Sequence, residues 1–82
     1  MNRKQLYDTL RQSDARITFT KVDGTVRVMD ASLRDQHVAP EYRAATLSQL
    51  ETDATTLRVY SIKDKGFRSV IAENVTNVEV LA

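Results

Sequence analysis

Cysteine is absent from the 82 residues, so no disulfide framework, thiolate nucleophile or thiolate metal ligand is available. A domain this small without such staples suits a reducing compartment, and the cytoplasm is the expected location. Tryptophan is also missing, and histidine occurs once, at position 37. A zinc site would need several carboxylates to converge on His37, so no metal is expected. His37 has no serine or carboxylate at a spacing diagnostic of nucleophilic catalysis, and it reads as a solvated loop residue. Both glycines, Gly24 and Gly66, fall in turn signals, which leaves no glycine-rich loop to cradle phosphates. Long apolar runs are missing too: nothing approaches the ~20 residues of a membrane span, and Met1-Asn2-Arg3-Lys4-Gln5 lacks the apolar centre of a signal peptide. The expectation is an unprocessed, membrane-free, non-catalytic chain without a cofactor. Charge of one sign is also scarce in excess. Twelve basic residues against eleven acidic give a net charge of +1, not the footprint of a protein that coats nucleic acid, although a local basic face remains open.

What is present is ordinary globular composition, 41% hydrophobic and 28% charged, enough for one domain over residues 1–82 with a small core. Asn2 followed by Gln5 is a capping-box signature. Leu6, Tyr7 and Leu10 follow at the spacing of an amphipathic helix, predicted over residues 2–13. From Arg16 the period becomes two: Ile17 and Phe19 alternate with Thr18 and Thr20. Asp23-Gly24 then reads as a two-residue type I′ turn, and the next strand runs from Thr25 to Ala31. That turn sets Phe19 opposite Val28 and Thr20 opposite Arg27, with Ile17, Phe19, Val26 and Val28 sharing one side.

Residues 32–56 show no strand alternation and contain the only proline, Pro40. They read as a long middle loop pinned by Leu33, Val38 and Tyr42, with a helical turn over 44–50 using Leu47 and Leu50. Leu57–Ile62 and Phe67–Ala72 form a second hairpin, closed by Lys63-Asp64-Lys65-Gly66 with Gly66 in the left-handed region of a G1 bulge. A short turn at Asn74–Asn77 leads to a last strand with Val78 and Val80 inward. The class is mainly β: a helix, then a five-stranded, SH3-like antiparallel barrel over residues 15–82.

Ile17-Thr18-Phe19-Thr20-Lys21 with Asp23-Gly24-Thr25, Pro40-Glu41, and Val59-Tyr60 leading through Gly66-Phe67-Arg68-Ser69 to Val75 resemble the phage WYL-like family with an Sm-like SH3 barrel fold. Such proteins occur mainly in tailed phages. The resemblance implies little chemistry of its own: the larger relatives, the bacterial WYL domains, look like ligand- or nucleic-acid-sensing modules in regulators, in which basic residues of the fourth strand are the candidates for meeting a nucleotide. Only Arg68 matches that position pattern, since Ile71 stands where arginine is frequent, and Ala72-Glu73 where a Leu-Asp pair is common. The expected role is a regulatory binding module that engages a host or phage macromolecule.

The candidate binding site lies on the second hairpin. The bulged register places Arg58, Tyr60 and Ile62 on one face with Arg68 and Val70, while Leu57, Val59, Phe67 and Ile71 turn inward. A tyrosine between two arginines suits single-stranded nucleic acid, by base stacking and phosphate contact. Two other readings stand beside it: a register shifted by one makes Tyr60 and Val70 core, and an exposed Ile62–Val70 patch makes a protein interface. The alternative to a binding and regulatory module is a homo-oligomer in which Sm-like edge strands pair between subunits.

Overall fold

The computed structural model describes residues 1–50 and 55–81, without the side chains at 43, 45, 47 and 49. Helix α1 spans Arg3–Gln12. The capping box forms: Gln5 N–H donates to Asn2 Oδ1 at 2.8 Å and Asn2 N–H to Gln5 Oε1 at 2.9 Å. Leu6, Tyr7 and Leu10 are its buried face. Three turns are marginal in isolation, so this helix depends on the strands it covers. It packs against β2 (Val26–Ser32), β3 (Thr56–Ser61) and the 3₁₀ turn Ala72–Asn74.

The remaining elements are β1 (Ala15–Thr20), helix α2 (Pro40–Leu50), β4 (Gly66–Ile71) and β5 (Val75–Val80). All strand pairs are antiparallel in the order β4-β3-β2-β1-β5. The two halves join narrowly. β2 meets β3 only at Ala31↔Ser61 and Ser32↔Tyr60, so the β3–β4 hairpin diverges from the rest of β2 and the sheet curls into an open barrel. Ile17, Phe19, Met29, Leu57, Val59 and Val70 fill its interior, and Leu6 and Leu10 belong to the same core.

The first hairpin is shifted by one residue from the sequence expectation. Phe19 lies opposite Arg27 and Thr20 opposite Val26, because the loop has three residues, Val22–Gly24. Gly24 N–H donates to Lys21 O at 2.9 Å, Lys21 N–H to Thr25 O at 2.7 Å, and Gly24 takes φ +89°. This is a turn closed by a left-handed glycine. One extra loop residue exchanges the faces of β2: Met29 and Ala31 go inward, while Val26 and Val28 are 68% and 57% exposed. Asp23 Oδ1 fixes the loop by accepting from Thr25 N–H and Oγ1–H, which holds its carboxyl below the usual range.

The middle segment is more ordered than a long loop. Leu33 and Val38 are buried as expected, and α2 begins at Pro40, where a missing N–H costs nothing. Leu50 packs partly buried against the core, whereas the side chain at 47 and residues 51–54 lie outside the described residues. In β5 the register slips between Thr18 and Phe19 of its partner. Val75 is buried in consequence, Val78 half-buried, and Val80, expected inward, is exposed.

Candidate functional site

The second hairpin decides where each candidate residue points. Its register pairs Leu57 with Val70, Val59 with Arg68 and Tyr60 with Phe67. Four residues, Ile62–Lys65, form the loop, and the left-handed position is Lys65 at φ 54°, not Gly66. β3 therefore faces as expected, but β4 is inverted. Arg68 and Val70 leave the side of Arg58 and Tyr60, while Phe67 and Ile71, expected inward, join it. Ile62 sits in the loop, half-buried, its N–H donating to Asp30 O at 3.0 Å. The expected Arg58-Tyr60-Arg68 platform with an Ile62–Val70 patch does not form, and Val70 is core.

The outer face carries an aromatic cluster instead. Tyr60 and Phe67 meet edge to face with centroids 5.6 Å apart, and the Arg58 guanidinium lies 4.6 Å over the Phe67 ring. Two further rings come from the middle segment: His37 stacks on Tyr60 at 5.6 Å and 17°, and Tyr42 leans on Phe67 at 5.3 Å. His37 Nε2 also lies 3.3 Å from Asp14 Oδ2. It is thus an anchor, not a solvated loop residue. Tyr60, stacked on His37 and edge to face with Phe67, joins the middle segment to the hairpin. A base stacking on the face that His37 covers would have to displace that ring. Tyr42 was expected to pin the middle segment, but its partner Phe67 and the stacking of His37 on Tyr60 were not legible, since ring contacts between a loop and a distant strand leave no periodic trace.

On the inner side, the divergence of β2 from β3 opens a groove of about 460 Å³ between β4 and the tip of the β1–β2 hairpin. Phe19, Met29 and Val70 supply buried apolar surface, and Lys21, Arg27 and Arg68 supply cations. Asp64, in the β3–β4 loop, does not line the groove but ties together two residues that do. Its Oδ2 accepts from Ser61 Oγ at 3.1 Å and from Arg27 Nη2 at 3.2 Å, with Arg68 Nη2 at 3.7 Å. One carboxylate oxygen thus gathers arginines from β2 and β4 across the opening. Among the described residues no group of three or more His, Cys, Asp or Glu side chains converges as a metal site. No described helix is long and apolar enough to cross a membrane.

A model of the family described as WYL_2, Sm-like SH3 beta-barrel fold, matches residues 3–76. The chain belongs to this WYL_2 family. The match runs from α1 into β5 and takes in both the aromatic face and the groove, so both are set on the family's Sm-like barrel. No curated protein and no solved structure matches the chain.

Proposed function

We propose that the chain is a non-catalytic binding module with a regulatory role, engaging a protein partner through the groove beside β4. The groove itself carries this reading: buried apolar surface from Phe19, Met29 and Val70 next to the charged side chains Lys21, Arg27 and Arg68 offers both area and orientation to a ligand. The aromatic face supports it by contrast, because His37, Tyr42, Tyr60 and Phe67 are engaged with one another. That engagement disfavours single-stranded nucleic acid there. A non-catalytic role is supported by the commitment of His37, the only histidine, to Tyr60 and Asp14. A phage setting, with the partner a host or phage protein in the host cytoplasm, rests on the sequence resemblance alone.

Affinity capture with paired variants tests the reading. A partner lost with Arg68→Glu and kept with Arg58→Glu supports the groove, and the reverse pattern moves the site to the aromatic face. A second reading, self-assembly, is favoured by β4 and β5 both being edge strands of six residues. Light scattering distinguishes it, a concentration-dependent ring or dimer being its signature.

A further inference from the structure

At β4 an open backbone edge, apolar surface and a set of cations coincide. β4 stands at the end of the strand order, with only β3 beside it among the described residues. Four consecutive β4 residues, Arg68–Ile71, line the groove. Successive strand side chains leave opposite faces, so four lining residues in a row mean that the groove follows the backbone edge, not one face. The opposite wall is also a continuous run, Phe19–Asp23. The groove is therefore a slot between two stretches of main chain.

A slot of this kind takes an extended chain. Alternate residues along an antiparallel edge strand direct N–H and C=O away from the existing partner, and an added strand satisfies them. Charge then selects the sequence. Three of the charged lining side chains are cationic, Lys21, Arg27 and Arg68, against the single carboxylate Asp23, which Thr25 already engages. Asp64 occupies Arg27 and lies near Arg68, as a partner's carboxylate would.

We infer that an extended acidic segment of a protein partner, with apolar and acidic residues taking turns at the alternate positions that face the groove, adds to β4 as a sixth strand. Its apolar side chains cover Phe19, Met29 and Val70, and its carboxylates displace Asp64 from Arg27 and Arg68. This rests on the groove-binding reading above and names the class of partner it takes.

Fluorescence anisotropy with labelled ten-residue peptides that carry serine at every second position tests it, the positions between alternating valine with glutamate in one series, with lysine in a second and with glutamine in a third. The glutamate series binds, weakening as salt is raised, and the lysine series does not. N-methylation of alternate amides along one edge of a glutamate peptide abolishes binding, because strand pairing needs those donors. Asp64→Asn tightens binding several-fold by removing the internal competitor, while Arg27→Ala and Arg68→Ala each weaken it by about three- to ten-fold. Equal binding of the glutamate and lysine series, indifference to N-methylation, or no peptide binding overturns the inference. If the peptides fail while a captured partner still depends on Arg68, strand addition is wrong and the groove reading stands. If the partner ignores Arg68 as well, both fall. A dimer dissociated by Arg68→Glu would assign the slot to a second copy and overturn the acidic-segment assignment.

Discussion

The β3–β4 loop offers a test whose sign is set by one backbone angle. Lys65 has φ 54°, a left-handed conformation that costs a non-glycine residue about 1–2 kcal/mol. Lys65→Gly removes that cost but gives the unfolded chain more freedom, a penalty of about 0.5–1 kcal/mol. The net expectation is a gain of about 0.5–1 kcal/mol, a rise in Tm of about 2–8 °C for a domain of this size. Gly66 is different. It opens β4 without positive φ, and a Cβ added there would meet Arg68 Nη1 at 3.2 Å, the far end of a side chain able to turn aside. Gly66→Ala is expected to be neutral within about 0.5 kcal/mol, since reduced unfolded-state freedom offsets the close approach. Gly24→Ala, at φ +89°, calibrates the series with a loss of about 1 kcal/mol or more. Differential scanning calorimetry on the three variants reads all of this. Were Lys65→Gly to lower Tm while Gly66→Ala lowered it more, the left-handed residue would be Gly66. The loop would then be the three-residue bulge, and the inward placement of Val70 would fail with it.

Asn2→Ala removes one bond of the capping box and is expected to cost about 1 kcal/mol in denaturant melts, whereas Asn2→Ser retains most of it. Leu57→Ala, at a fully buried position, is expected to cost about 2–5 kcal/mol, and a surface-like loss below about 1 kcal/mol would remove Leu57 from the barrel interior. The carboxyls of Asp23 and Asp30 are held low in the folded state, Asp23 by hydrogen bonds from Thr25 and Asp30 by one from Arg16. Their contribution is complete above the ordinary carboxylate range near pH ~4 and is lost as pH falls through it toward the depressed folded values. Acid melts of Asp23→Asn and Asp30→Asn should show a shallower loss of stability there. An acid limb unchanged from that of the parent would contradict this assignment.

The features that could be read from residues alone were those encoded within a few positions. Asn2 with Gln5 and the spacing of Leu6, Tyr7 and Leu10 specify α1, and Asp23-Gly24 and Gly66 mark both hairpins. Loop length was not legible, because Asp-Gly suits a two-residue turn and a three-residue turn alike. Each one-residue difference exchanged the two faces of a strand, taking Val28 outward in the first hairpin and Arg68 and Val70 to the groove in the second. α2 was legible only in part: a helical turn over 44–50 was expected, and the helix begins four residues earlier, at Pro40, in a segment with no apolar period to announce it. The groove is less legible still, since Phe19, Met29 and Val70 come together only once β2 and β3 have parted.

The position of β1 has a consequence for how the chain is made. It lies between β2 and β5, and Phe19 pairs with Val75 far along the chain. At about 5–20 residues per second, β5 emerges on the order of several seconds after the β1–β2 hairpin has been synthesised. Until then one edge of β1 is open, and Val26 and Val28 are displayed on the neighbouring strand. A nascent chain stalled before Val75 therefore presents the unpaired edge of β1 beside an apolar stripe, an edge that β5 covers in the finished sheet. The β1–β5 pairing also closes the longest loop in the sheet, so its closure entropy is the largest of any strand pair here.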